Sequence, residues 1–393
     1  MKKYINCLCL CSCLIVCGCI TEYEATGIDE ASDILVVEGV ITDDESHIIL
    51  SRSNYLTTAT LGWTSSAYIL DARVFVECED DGSEYRSLPP SNDFPPKYII
   101  MNGKLNPNSR YRLRIEIDEI DFESEDCFTN AWGVISCPTK TYIYNSVFSL
   151  PIKTPEIDSV FWTKKDTGEP VVIHVATHSP DNQILYYRWS YREDWETNSV
   201  FPMDDYPRYC WNFSNSRGLL IGSAEKTILG RVTDILTEIP PSNLRLSSLY
   251  RIIVRQNTIS KQAYDYFENI TKNAQQTGSI FAPVPSELRG NITCSTDSHR
   301  PVIGYIDVST TTQKIKLISS LDNVYEVLPR PGCIPVEIEI LMERYEGKIP
   351  NYYIQIPISS QPDPPPPGYV QIYCVDCTFY GTEQKPDDWP NNY

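Results

Sequence analysis

From Ile34 to about Lys153, hydrophobic side chains tend to recur at every second position, most clearly from Arg110 to Ile117. Tyr111, Leu113, Ile115 and Ile117 fall on one face there, and Arg110, Arg112, Arg114 and Glu116 on the other, the pattern of a half-buried antiparallel strand. Similar runs over Ile34–Thr42, His47–Arg52, Ala72–Cys78, Lys97–Met101 and Thr141–Phe148, separated by polar or Pro-containing turns, predict further strands.

About seven short strands in about 120 residues is a sandwich count. Leu105, Pro107 and Tyr111 have the look of a tyrosine corner, so residues 34–153 are expected to form an immunoglobulin-like β-sandwich. Pro151 and Pro155 mark the boundary of a second β-rich domain, 154–393. Its predicted strands are Asp158–Thr163, Val171–Thr177, Leu185–Arg192, Pro301–Ser309, Lys314–Ser319, Pro335–Leu341 and Tyr352–Ile358. In Leu185–Arg192, Tyr187, Trp189 and Tyr191 share one face, expected to be core. One helix interrupts this domain. Ser260 suits an N-cap, Ala263, Phe267, Ile270 and Ala274 follow at helical spacing, and Gly278 closes a helix over 260–278. Pro362–Pro367 reads as stiff polyproline, and the fold class is mainly β.

The N-terminus breaks the pattern. Lys2 and Lys3 precede a 14-residue apolar run, Tyr4–Cys17, too short for a bilayer core that needs about 20 residues. Val16, Cys17, Gly18 and Cys19 resemble a bacterial lipobox, so residues 1–18 are expected to be a cleaved lipoprotein signal and Cys19 a palmitate-bearing mature N-terminus; an ordinary secretory signal is the alternative. Residues 19–33 then read as a lipid-anchored linker. Glu22, Tyr23 and Glu24 resemble an acidic surface-export signal, although a solvated spacer has the same composition.

Composition narrows the function classes. The 33 Lys plus Arg against 52 Asp plus Glu give a net charge of −19, which repels nucleic acid. Of 14 cysteines, six lie in the signal and anchor, leaving eight: Cys78, Cys127, Cys137, Cys210, Cys294, Cys333, Cys374 and Cys377. All eight are candidate disulfide cysteines of an oxidising compartment. Cys127 and Cys137 flank a short loop, and Cys333 could reach Cys374 or Cys377 if the C-terminal strands are neighbours. Cys374-Val-Asp-Cys377 has metal-knuckle spacing without a second knuckle, so no metal or other cofactor is expected.

Of the four histidines, only His174 and His178 invite a ligand reading, and on one strand they would stand about 13 Å apart, too far to share an ion. The acidic groups Glu77, Glu79, Asp80, Asp81 and Asp118, Asp121, Glu123, Glu125, Asp126 are candidate calcium ligands without the EF-hand spacing, or solvated loop charge. HExxH, GxSxG and phosphate-loop signatures are missing, so the chain is expected not to be an enzyme. Trp195, Tyr206, Tyr209 and Trp211 lie in an aperiodic stretch that reads either as a ligand or partner platform or as a long packed loop.

Several blocks in fixed order carry a resemblance. They are Ile34-Leu-Val-Val-Glu-Gly-Val-Ile-Thr-Asp43; Tyr186-Tyr-Arg-Trp189 with Trp195; Tyr250-Arg-Ile-Ile-Val-Arg-Gln256; Ala263-Tyr-Asp-Tyr-Phe-Glu268; Gln276-Thr-Gly-Ser-Ile-Phe281; Gly290-Asn-Ile-Thr-Cys294; Gly304-Tyr305; and Cys374-Val-Asp-Cys377 with Pro386 and Trp389. Together they resemble an uncharacterised family of Bacteroidota outer-membrane lipoproteins, the domain-of-unknown-function 4249 type, often encoded beside SusC-type TonB-dependent transporters. The resemblance implies a lipid-anchored, surface-exposed outer-membrane protein, and no catalytic residue transfers with it. The expected function is an accessory binding or assembly subunit of a TonB-dependent nutrient transport system. A surface glycan or peptide hydrolase with an unrecognised site is the alternative.

Overall fold

The computed structural model describes residues 34–53, 68–121, 124–129, 135–179, 185–225, 227, 230–276, 290–319, 322, 330, 332–357 and 367–390. The signal, Cys19 and the linker lie outside these residues, as do Glu123, Gly278 and most of the polyproline segment.

The first unit comprises β1 (Leu35–Val40), β2 (Asp44–Arg52), β3 (Arg73–Cys78), β4 (Glu84–Arg86), β5 (Tyr98–Gly103), β6 (Tyr111–Ile120), β7 (Phe128–Thr129), β8 (Ile135–Ser136) and β9 (Thr139–Ser146). β1, β2 and β5 form one sheet, β4, β3, β6 and β9 a second, and β7–β8 a small hairpin. The alternation in β6 is realised: Tyr111, Leu113, Ile115 and Ile117 are buried in one cluster with Val37, Ile48 and Leu50 of the opposite sheet. Fully burying each such aliphatic side chain is worth about 1.5–3 kcal/mol. The outer face of β6 is an ion-pair lattice in which Arg114 meets Glu77 at 2.5 Å and Glu84 at 3.0 Å, its guanidinium 4.2 Å above the Phe75 ring.

The second unit comprises β10 (Ile157–Thr163), β11 (Val171–His178), β12 (Tyr186–Asn198), β13 (Tyr209–Asn215), β14 (Leu220–Ser223), β15 (Arg231–Ile239), β16 (Leu249–Ile259), α1 (Lys261–Gln276), β17 (Ile292–Cys294), β18 (Val302–Gly304) and β19 (Thr311–Ser319). β10, β11 and β15 form one sheet, and β13, β12, β16 and β19 the other, with β14 also on β12. Tyr187 and Trp189 are buried with Val160, Ile173, Val175, Tyr250, Ile252 and Val254, and Tyr191 packs against that cluster. On the opposite face of β12, Tyr186 is buried too, because α1 lays Ala263 and Phe267 over it. The Ser260 hydroxyl accepts from the Ala263 N–H at 3.1 Å, as an N-cap should.

The units interlock through the segment after α1. β17 pairs antiparallel with β9, and β18 parallel with β1, so a stretch expected in the second domain supplies an edge strand to each sheet of the first. Two glycines permit this return. A Cβ on Gly290 would stand 1.6 Å from the Gly304 carbonyl oxygen, and one on Gly304 would stand 2.5 Å from that of Val37. Across the joint, the Arg188 guanidinium donates to the Gly39 carbonyl at 3.4 Å. Burial lowers the Arg188 pKa and raises that of Asp307, whose carboxylate accepts from the Ser260 N–H at 2.9 Å.

A C-terminal lobe completes the chain with β20 (Val336–Glu337), α2 (Ile338–Arg344), β21 (Tyr353–Pro357) and β22 (Pro367–Gln371), its sheet running β20–β22–β21. The strand predicted over 335–341 is thus mostly helix. Ile338, Leu341 and Tyr345 recur at helical spacing and bury Leu341, and this outweighs the β-propensity of the isoleucines. β13 forms where the sequence shows no strand period. Among the described residues, no helix is long and apolar enough to cross a membrane.

Candidate functional site

The aromatic stretch lies on the β12–β13 hairpin and the loop between those strands. In this ladder Asp194 faces Phe213, Glu196 faces Trp211, and Asn198 faces Tyr209. Trp195 turns to the second core and carries the Arg245 guanidinium 6.0 Å from its ring. Tyr206 packs with Phe201 and Met203 against the core of the C-terminal lobe. Trp211 is half-buried, and its backbone exchanges two 2.8 Å hydrogen bonds with Thr382. Tyr209 is exposed beneath Arg208 at 5.0 Å, and Phe213 beneath Arg192 at 4.8 Å. The four predicted residues therefore form no common platform: Trp195, Tyr206 and Trp211 serve packing, and only Tyr209 faces solvent freely.

Beneath them the sheet holds buried charge on both faces. On the outer face, Asp194 accepts from Arg251 at 2.8 and 3.1 Å and from Arg192 at 2.8 Å. Arg251 also donates to the Asp388 carbonyl at 3.1 Å and lies 5.2 Å from the Trp389 ring, which pins the C-terminal tail over the sheet. On the inner face, Glu193 accepts from Arg245 at 2.9 Å and from the Tyr250 hydroxyl at 2.7 Å. Burial first, and Glu193 second, push the Tyr250 hydroxyl well above its ordinary pKa.

Three disulfides are present, Cys127–Cys137, Cys210–Cys377 and Cys333–Cys374. Cys210–Cys377 ties β13 to the lobe, and Cys333–Cys374 closes the lobe itself. Cys78 and Cys294, candidates for pairing on sequence grounds, are instead buried free thiols. The ladder gives the reason. Cys294 faces Tyr144, which faces Ile115, which faces Val74, whereas Cys78 stands four residues further along β3. That offset of about 13 Å along the strand, besides the width of the intervening strands, exceeds the roughly 4.4–6.8 Å Cα separation of a disulfide.

The histidines and acids are occupied separately. His174 meets the Thr163 hydroxyl at 2.8 Å and stacks on Phe161, His178 meets Asp158 at 2.6 Å, His47 meets Glu45, and His299 lies 3.6 Å from Asp297. Glu79 pairs with Arg110 at 2.5 Å, and Asp81 accepts from the Ser83 N–H, its pKa lowered chiefly by Ser83. The hydrogen bond from Arg73, then that from Thr141, holds Asp118 down to about 2. Among the described residues, no three His, Cys, Asp or Glu side chains are placed to hold a metal ion. The described residues include a shallow groove of about 350 Å³ between α1 and β14, with Tyr264, Glu268 and Lys272 on its wall, and another of about 280 Å³ around Asp158, His178 and Arg231.

The comparison with family models decides the kinship. Residues 20–130 and 134–315 match the model described as Domain of unknown function (DUF4249). The chain belongs to the DUF4249 family. Nothing among curated proteins matches it. The DUF4249 match spans both β units and the return through Gly290 and Gly304, whereas the C-terminal lobe lies beyond it. That lobe carries a feature the sequence reading missed: β21 and β22 alternate Tyr353-Ile-Gln355 and Tyr369-Val-Gln371, so that tyrosines and glutamines share its outer face. Its signal was a plain period-two alternation.

Proposed function

We propose that this DUF4249 protein is a non-catalytic, lipid-anchored lipoprotein on the outer-membrane surface that serves as an accessory binding or assembly subunit of a SusC-like TonB-dependent transporter. The carrying observation is the interlocked joint. β17 and β18 stitch one unit into the sheets of the other, and Arg188 and the Gly290–Gly304 contact fill the seam. A frame fixed in this way presents surfaces instead of closing on a substrate. The lipobox ending at Cys19 supports the anchor.

We also read both units as immunoglobulin-like sandwiches, a scaffold widely used at cell surfaces. With the returning strands β17 and β18 and the short β14 set aside, the sheet orders β1–β2–β5 with β4–β3–β6–β9, and β10–β11–β15 with β13–β12–β16–β19, share one three-plus-four topology that supports this reading. The Tyr111 hydroxyl accepts from the Asn106 N–H at 2.9 Å, the bond a tyrosine corner needs.

The test is a mild-detergent pull-down of the C-terminally tagged protein from its native membrane, with Cys19→Ala as control and mass spectrometry of the partners. A TonB-dependent barrel at near-equal amounts, lost in the control, is expected. Recovery of the bait alone would refute a stable subunit and turn attention to turnover of glycans and peptides.

A further inference from the structure

We infer that the outer face of the β21–β22 ladder is a binding site for a neutral oligosaccharide. The inference goes beyond the transporter reading and does not depend on it. Tyr353 pairs with Gln371, and Gln355 with Tyr369, so rings and amides alternate in a chequerboard on one side of the sheet. The other side, with Ile354, Ile356 and Val370, packs into the lobe core, which Cys333–Cys374 closes. Tyr352 and Tyr345 extend the ring surface at one end: Tyr352 lies 5.2 Å and Tyr345 6.0 Å from the Tyr353 ring, and the Tyr352 and Tyr345 hydroxyls stand 3.3 Å apart. Tyr352 is 42% exposed.

Three properties of this face point to a sugar. Aromatic rings offer flat apolar faces to the C–H side of a pyranose while their hydroxyls remain wet. Among the described residues, the two amides are engaged by long contacts, Tyr369 Oη to Gln355 Oε1 and Gln371 Nε2 to Tyr353 Oη, both 3.4 Å. Each amide thus keeps donor and acceptor capacity for hydroxyls, which need both. Finally, these side chains carry no formal charge on a chain of net charge −19, a combination that disfavours nucleic acids, acidic polysaccharides and phosphate headgroups. Tyr352 and Tyr345 are tilted by 38° and 58° to Tyr353, so a flat ribbon cannot lie flat on all three rings, which favours a chain that curves.

The test is isothermal titration of the full chain with maltohexaose, which coils, with cellohexaose, a flat ribbon, and with polygalacturonate as the charged control. Maltohexaose is expected to bind best and polygalacturonate not at all. Tyr352→Ala, Tyr353→Ala and Tyr369→Ala should each weaken binding roughly two- to tenfold. Tyr209→Ala, on the hairpin, should leave it unchanged. If a variant of the strand tyrosines fails to fold, Tyr352→Ala decides, because its exposed ring makes that change tolerable. No binding of either neutral hexaose at about 10 mM, tenfold above the millimolar range of weak sites, would overturn the inference. So would equal binding by polygalacturonate, or full retention of binding by Tyr352→Ala together with Tyr353→Ala. Loss of glycan binding alongside recovery of a transporter in the pull-down would leave the proposed function standing and remove only this site.

Discussion

Replacing Arg251 by Met tests whether buried charge pins the C-terminal tail. Arg251 has a side chain 7% exposed, and its partner Asp194 is fully enclosed. Removing one member of a buried pair typically costs about 3–5 kcal/mol, because the other charge stays buried without compensation. Arg192 still reaches Asp194 at 2.8 Å, which places the expectation at the lower end, about 3 kcal/mol. Loss of the guanidinium beside Trp389 adds about 1 kcal/mol. At about 2–4 °C per kcal/mol, thermal unfolding followed by circular dichroism should fall by roughly 8–16 °C. Limited proteolysis should also begin cutting near Pro386–Trp389. Asp194→Asn in the Arg251→Met background should restore at least half of the loss, since the orphaned charge is gone. Arg255→Met, on the same strand with only a 3.4 Å contact to Gln313, should stay within about 0.5 kcal/mol of wild type. A fall below about 3 °C for Arg251→Met, or a double variant no more stable than the single one, would refute the reasoning.

Two further outcomes follow from the seam and the surface. Gly290→Ala should separate β17 and β18 from the first unit, since its methyl would overlap the Gly304 carbonyl at 1.6 Å; a loss of several kcal/mol and exposure of the Cys294 thiol to a maleimide probe are expected, and an unchanged melting curve would disprove the contact. Asp118 is held near 2 in the folded chain, against about 4 unfolded, so its stabilisation is complete above pH about 4 and disappears as pH falls towards 2. Asp118→Asn should flatten that part of the melting-temperature profile, modestly because the pair with Arg73 is largely solvated, and an unaltered acid slope would count against it.

Much of the architecture was legible in local pattern. Period-two alternation located β6 and β12, because one buried face leaves every second residue apolar. The Ser260 cap and the Ala263–Phe267 stripe located α1, and the spacing of Cys127 and Cys137 allowed their pairing. Local pattern misled at 335–341, where a helix won by burying Leu341 on an isoleucine-rich segment, and at β13, whose strand exists because β12 offers it an edge.

Other features are long-range by nature. No spacing could say that residues 290–304 return to the first unit, that Cys210 finds Cys377 across 167 positions, or that Cys78 and Cys294 remain thiols. Those outcomes depend on which strands become neighbours, a global result of packing both cores at once. The aromatic stretch shows the same division. The sequence by itself determined that Trp195, Tyr206, Tyr209 and Trp211 are close along the chain, and that the chain is mainly β and acidic. Only the tertiary structure decided that three of them serve cores and a tail contact, and that Tyr353 and Tyr369, sixteen positions apart, share one half-buried face of a sheet, because a side chain's role is set by what the rest of the fold places against it.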